Sequence, residues 1–473
     1  MKQGISAEII TSTKDRKHLL RSMGTTEFSK INCSRKTKLY AKLRKSQLKH
    51  NFIGIGYSFE HTSCQNLMRL SKNDRHNALK ALVDKNQGAG MNIFRICMGT
   101  SDFTGTLWYT YLDESPPDNI LNSEDEQDLI NYIKDNFSIA KDQEFIIPIV
   151  QEALEINPDL LIFASPWTPP PWMKDSHDWC GGRLLKKYWA SYAEYFVQFI
   201  NAYEKVGIPI HAITVQNEPL HNWDKMPTCK WDIKGINERD FIKNYLGPTF
   251  EKYQIDTEIW CFDHNWSLLG WLNLLRQPSR YPQTILDDPE AKKYVDGVAF
   301  HHYAAVGFSS PKMMLKFRKK YPKIPFYFTE GSLAWWFGAC RLPRYIQYGA
   351  SAINGWVPMI DSEGNPNNGP FKTKETLLTL QVPEMIVEKT FDYYMYMHFS
   401  KYIQRNAKVI DLVRNKRIGF EITALKNPDN TIIAIVVNKF RRSRNFKLEY
   451  NGLALVTDLL PNSITTFTWR YRL

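Results

Sequence analysis

Across 473 residues there is no Cys-x-x-Cys pair, no His-Glu-x-x-His motif and no other spacing that marks a metal centre. Neither a metal nor an organic cofactor is therefore expected. No apolar stretch reaches the length of a membrane-crossing helix. The N-terminus has no apolar signal-peptide core, which leaves open either the cytosol or, with a leader removed, an exported or lysosomal space. The seven cysteines (33, 64, 97, 180, 229, 261 and 340) are odd in number and widely spaced, a pattern of free thiols rather than a disulfide framework. The run Gly54-Ile55-Gly56-Tyr57-Ser58-Phe59 lacks the third glycine of a dinucleotide-binding loop.

What the chain has in quantity is apolar and aromatic residues, 43% and 14%, enough to bury a sizeable core. Most of its 14 tryptophans serve packing, but a surplus of aromatics also suits sugar binding, because a pyranose ring packs a face of C–H bonds on an aromatic plane. The net charge of +12 is unevenly placed: residues 1–50 hold 13 lysines and arginines against Glu8, Asp15 and Glu27, so this segment alone carries +10. The remaining 423 residues are close to neutral. Charge runs are usually solvated faces, so no nucleic-acid partner is expected. An anionic membrane surface remains a partner that such a segment could meet.

From residue 51 onward, strand-like apolar runs alternate with amphipathic helical segments. The strands are expected at 52–56, 92–98, 160–165, 212–216, 258–263, 297–301, 325–329 and 353–359, with helices between them at, for example, 75–86, 189–205 and 239–252. Eight such repeats predict an α/β chain folded as a (β/α)8 TIM barrel over residues 51–390. Beyond about residue 390 the runs become short and β-branched, at 418–425, 431–438, 446–450 and 463–469, and are separated by turn signals such as Asn427-Pro428-Asp429-Asn430. Residues 391–473 are read as an accessory antiparallel β-sandwich domain, to which the basic segment 1–50 contributes strands at 9–11 and 39–42.

In a barrel of this type the reactive groups sit where strands run out into loops. Gln216-Asn217-Glu218-Pro219 and Phe328-Thr329-Glu330-Gly331 each place one glutamate at such an end. A surface glutamate is the commoner fate. Two carboxylates so placed are also what cleavage of a glycosidic bond requires, one as acid and one as nucleophile. Asp102 follows the second strand as a candidate partner for two sugar hydroxyls, or as a loop cap. After the third strand the triple proline 169–171 stops regular structure, holding Trp167 and Trp172 on a stiff loop suited to a sugar wall or to an apolar plug. Phe300-His301-His302-Tyr303 ends the sixth strand. Adjacent strand residues face opposite ways, so the two histidines make a poor joint metal site, and His301 and Tyr303 are read as hydrogen-bond donors behind the carboxylates.

These motifs, taken in order, resemble glycoside hydrolase family 30, the family of the glucosylceramidases. The resemblance runs from Gly54 to the C-terminus and rests on 54–59, Ser101-Asp102-Phe103, Ala164-Ser165-Pro166-Trp167-Thr168, Asn217-Glu218-Pro219, Thr329-Glu330-Gly331, 398–403 and 461–467. It implies retaining hydrolysis of a β-glucoside or glycolipid, with a glucosylceramide-like glucoside foremost. A β-1,6-glucan, β-xyloside or β-fucoside is the alternative within the family. A non-catalytic carbohydrate-binding protein is the alternative from another class, and binding alone has no use for an acid and a nucleophile. By the family pattern Glu218 is the acid/base, Glu330 the nucleophile, and Asp102, Trp167 and Asn217 hold the first sugar, with Tyr303 near the carboxylates. Two departures stand out: Met359 where glucosylceramidases carry a sugar-binding tryptophan, and Glu60-His61 in the first motif.

Overall fold

The structure, a computed structural model, describes residues 5–30, 37–265, 280–303, 312–331, 333–415 and 418–470. Cys33 and the basic pair Arg35-Lys36 lie outside them. The other six cysteines are free. Among the described residues no helix is long and apolar enough to cross a membrane.

Eight parallel strands form one sheet: Gly54–Tyr57, Ile93–Met98, Leu161–Pro166, Ile210–Thr214, Glu258–Asn265, Gly297–His302, Phe326–Gly331 and Ala350–Gly355. The first and last pair in register, and a parallel bridge from Ser58 to Arg95 closes the ring between the first and second. The expected barrel is therefore present. Its eighth strand ends at Gly355, short of the expected 359. Pro358 has no N–H to donate, and its carbonyl accepts from Leu377 and Leu378, so the chain leaves the barrel there. Met359 belongs to a separate strand, Met359–Asp361, paired with Leu378–Gln381.

Inside the ring the side chains stack in layers, as alternate strand residues must. Ile93, Phe163, Ala212, Trp260, Ala299, Tyr327 and Ala352 form an apolar floor, with Trp260 stacked on Tyr327 at 3.9 Å. Two residues further along the same strands come Arg95, Ser165, Thr214, His301, Thr329 and Asn354, all buried and all polar. The fifth strand joins this upper layer through a distortion. Phe262 and Asp263 have φ of 81° and 43°, left-handed values that side chains avoid, and they bring Asp263 inward one position late.

The helix Trp189–Lys205 has the expected bounds, and its buried face carries Tyr192, Tyr195, Phe196, Phe199 and Tyr203 at helical spacing. Residues 391–400, expected to open the C-terminal domain, are instead the helix Phe391–Ser400. Its Tyr393, Tyr396 and Phe399 lie in the barrel core, and Tyr396 packs 4.8 Å from Tyr57 of the first strand. His398 of the same helix bonds Ser12 and Thr466, tying the barrel to both chain ends.

Those ends share a ten-stranded sheet built from Ser6–Thr13, Arg21–Glu27, Ser29–Lys30, Leu39–Phe52 and six strands from Ala407 to Arg470. Pairing is antiparallel except between Leu39–Phe52 and Arg444–Tyr450, which run parallel. On Leu39–Phe52 the residues Leu39, Ala41 and Leu43 face the sandwich core while Lys42 and Arg44 face water. Lys42 and Arg44 thus lie on the solvated side of an amphipathic strand. Arg344 of the barrel and Arg414 of the sandwich share the buried Glu421.

Candidate active site

Glu218 and Glu330 are 7% and 5% exposed, which rules out solvated surface glutamates. An oxygen of one lies within 4.8 Å of an oxygen of the other. His301 stands between them, with Nδ1 2.9 Å from Glu218 Oε1 and 3.7 Å from Glu330 Oε1. Its other nitrogen is 2.9 Å from Asp263 Oδ1. His302 points away and bonds Tyr345, as strand alternation requires.

Glu330 lies in the last turn of the seventh strand, at the rim of the upper layer. One of its oxygens accepts from the Arg95 guanidinium and the other from the Tyr303 hydroxyl. Arg95 is fully buried and spends its donors on four side chains. Besides Glu330 these are Asn217 Oδ1 at 2.9 Å, Asp263 Oδ2 at 2.7 Å and Ser165 Oγ at 3.0 Å. Burial alone would lower the Arg95 pKa, but Asp263 and Glu330 hold it above its ordinary value. Burial would raise Asp263, and Arg95 with His301 holds it well below the usual carboxylate range. His301 is pushed up to about 10, because Glu330, Asp263 and Glu218 outweigh the burial that would lower it. Arg95 and His301 are two cations set against two carboxylates, Asp263 and Glu330.

Glu218 has its own setting. Its backbone is left-handed, with φ of 47°, and its N–H donates to the Asp263 carbonyl at 2.9 Å. Oε1 accepts from Asn265 Nδ2 at 3.0 Å, and Oε2 lies 2.5 Å from His221 Nδ1. Burial acts to raise the Glu218 carboxyl, while His221, aided by a hydrogen bond from His301 and the nearby imidazole of His264, lowers it. In return Glu218 raises His221 against the burial that would lower it. Both shifts favour an ion pair across this short contact, with Glu218 ionised and the proton on His221.

Of the residues expected to hold a sugar, Asn217 has its side-chain oxygen taken by Arg95, which leaves its amide N–H groups as donors. Trp167 is stacked on Trp356 at 5.4 Å, and the Arg95 guanidinium lies 4.7 Å from its ring centre. Asp102 is buried, and burial together with the charge of Glu330 pushes its carboxyl up to about 7, against a hydrogen bond from Trp167. The loop containing Gly369 comes so close that a Cβ there would sit 2.6 Å from the Asp102 carbonyl. Asp102, Trp167, Asn217, His301 and Tyr303 thus gather around the carboxylate pair. Trp172 does not: its ring is in the barrel core and its Nε1 donates to Leu112 O at 2.9 Å. Nor is Glu60-His61 at the surface of the site. Glu60 caps the helix His61–Met68 through Ser63 N, with burial pushing it up to about 8, and His61 bonds the Tyr109 hydroxyl at 2.7 Å. Met359 is fully buried, with its N–H and carbonyl both bonded to Ser63 Oγ, and the aromatic residue of this loop that stacks on Trp167 is the partly buried Trp356.

Sequence reasoning missed four contributors: Arg95, Asp263, His264 and His221. A signal existed for three of them. Arg95 is a lone charge inside an apolar strand, and Asp263-His264-Asn265 is a polar triplet at a strand end. His221 is only a loop residue three positions after Glu218 and carries no local signature.

Models of known families match this chain in two places: the glycosyl hydrolase family 30 TIM-barrel domain over residues 52–349 and that family's beta sandwich domain over 406–467. The chain is 27% identical to lysosomal acid glucosylceramidase of Mus musculus over 441 residues, covering 88% of this chain and 81% of that protein. It is 28% identical to an endo-1,6-beta-D-glucanase of Neurospora crassa over 403 residues, covering 80% and 77%. Among solved structures, an endo-beta1,6-glucanase superposes with a TM-score of 0.83 at 26% identity, covering 99% of this chain and all of the other. SrfJ from Salmonella typhimurium shares the fold, with a TM-score of 0.86 at 21% identity over 99% of this chain and all of that one. The barrel, the sandwich and the family matches across both place this chain in glycoside hydrolase family 30, and it is a glycoside hydrolase.

Proposed function

We propose that the protein is a retaining β-glucosidase in which Glu330 attacks the anomeric carbon and Glu218 gives a proton to the leaving oxygen. The observation that carries this reading is the separation of the two carboxylates, with oxygens within 4.8 Å. Inverting hydrolysis needs room for a water and carboxyl groups about 6.5–9.5 Å apart, whereas retention uses about 5–5.5 Å. The partners of each glutamate support the division of labour. Glu330 accepts from a cation and a hydroxyl, an acceptor-only pattern that suits an attacking carboxylate. Glu218 lies 2.5 Å from His221, close enough to exchange a proton with it. A substrate that fills the site excludes water, an ion pair without solvent is costly, and the proton then rests on Glu218. Proton transfer to the leaving oxygen yields the glycosyl ester on Glu330. Water then attacks that ester, with Glu218 as base.

The first sugar would lie against Trp167, with Asp102 and Asn217 on its hydroxyls. Beyond His221 the half-exposed pair Trp223 and Phe371, 5.2 Å apart, offers an apolar rest for the leaving group. A lipid-like aglycone, as in glucosylceramide, suits that rim. A second reading, a β-1,6-glucan, is supported by the likeness to glucanases in both sequence and fold. The test has two parts. A 2-deoxy-2-fluoro glucoside label should attach at Glu330, as read by peptide mass, and attachment elsewhere or none would overturn the assignment. Hydrolysis of glucosylceramide and of β-1,6-glucan measured side by side then separates the substrates, and a preference for a β-xyloside would refute the glucosidase reading.

A further inference from the structure

Two groups of metal-capable side chains occur among the described residues, Glu218 with His221 and His264, and Glu218 with His301 and Glu330. The second is already satisfied. Arg95 and Tyr303 occupy the Glu330 oxygens, and both His301 nitrogens face carboxylates. The first is not. His264 is fully buried, yet neither of its ring nitrogens makes a hydrogen bond. A buried imidazole without partners is uncommon and asks for a ligand or a reason. Its Nδ1 stands 3.6 Å from Glu218 Oε1, and its ring meets that of His221 edge-on with centroids 4.7 Å apart.

We infer that Glu218, His221 and His264 form a three-ligand site for a divalent transition ion of the zinc type, and that its occupation switches hydrolysis off. Two imidazoles and a carboxylate are an ordinary zinc donor set, with a fourth position left for water. Bonds of about 2.0–2.1 Å in a tetrahedral ion hold ligand atoms roughly 3.3 Å apart. The 3.6 Å gap between Glu218 and His264 already suits that spacing. The 2.5 Å contact of His221 is with the other oxygen, Oε2, and has to open by less than about 1 Å as the His221 proton passes to solvent, so the carboxylate meets the ion with both oxygens. The ion then holds the carboxylate that would otherwise deliver a proton, so hydrolysis stops without any loss of fold. The inhibition rests on the role proposed for Glu218; the binding does not.

The test is calorimetric titration of the chelator-treated protein with zinc chloride, repeated with cobalt(II) to read its visible absorption. The wild type should take one ion at this site, with the intense absorption of tetrahedral cobalt. His221→Asn and His264→Phe should each weaken that binding by at least about tenfold. If His264→Phe does not fold, His221→Asn, at a partly exposed loop position, carries the test alone. Glu330→Gln should keep the zinc site while abolishing hydrolysis, so a failure of the proposed mechanism and a failure of the metal site give different results. Zinc should inhibit the wild type reversibly, and a chelator should restore activity. No zinc binding by the wild type, or binding unchanged in the histidine variants, overturns the inference.

Discussion

The floor of the barrel and the layer above it are made by the same strands, two residues apart, and they are opposites. Ile93, Phe163, Ala212, Ala299 and Tyr327 below become Arg95, Ser165, Thr214, His301 and Thr329 above. Both layers are buried. The floor is held by packing, which tolerates apolar swaps that keep its volume. The upper layer is held by hydrogen bonds and charge pairs that stand or fall together, because a buried charge without its partner is costly. The difference shows that burial is not what makes the site. Burial is common to both ends of the ring, and the site begins where buried positions turn polar and find partners on other strands.

That contrast can be broken by substitution, and the largest effect is expected at its upper edge. Glu330→Gln should lose on the order of 10⁴-fold or more in kcat while keeping the fold, as circular dichroism and single-turnover assays would report. Substantial retained activity would remove the catalytic meaning of the polar layer. Glu218→Gln should lose about 10²–10⁴-fold on alkyl glucosides, whose leaving oxygen needs a proton. The loss should be far smaller on a nitrophenyl glucoside, and equal losses on both would argue against an acid role.

Titration sharpens the comparison next. The His301 pKa is raised in the folded state to about 10, from an ordinary value of about 6.5. Its contribution to stability is therefore complete below about pH 6.5 and is lost as pH climbs through about 10. Urea midpoints followed from pH 6 to 10 should fall for the wild type and flatten in His301→Asn; parallel curves would refute the charged histidine. The smallest effects come from a matched pair. Thr214→Val deletes a hydroxyl 2.7 Å from Asp263 and should cost about 1.5–3 kcal/mol together with activity. Ile93→Val, in the floor, should cost about 0.5–1.5 kcal/mol and leave kcat/KM unchanged. Similar effects of the two on activity would erase the distinction between the layers.

Much of this was legible before any coordinates. The eight strand runs could be read because alternation and turn residues are local signals, and their ends shifted by only a few residues. The main exception was the eighth strand, where Pro358 ended a run that looked continuous. Glu218 and Glu330 were legible as strand-end glutamates. Trp172 was left open between a sugar wall and an apolar plug because a stiff proline loop fixes where a ring starts but not which way it turns, and its indole found the Leu112 carbonyl in the core. Residues 391–400 were misread because an aromatic helix bordering a β domain looks like part of it; packing against Tyr57 assigned it to the barrel.

By itself the amino-acid order determined the repeating units, the residues at their ends and the family, since periodicity, breakers and motifs depend on neighbours along the chain. Only the closed barrel decided who meets whom. Arg95 and Glu330 are 235 positions apart, and Asp263 is 168 from Arg95. No local preference encodes such pairs. They exist because closing a ring of tilted strands brings remote side chains into one dry space, where every charge must find a partner or go unpaired at high cost.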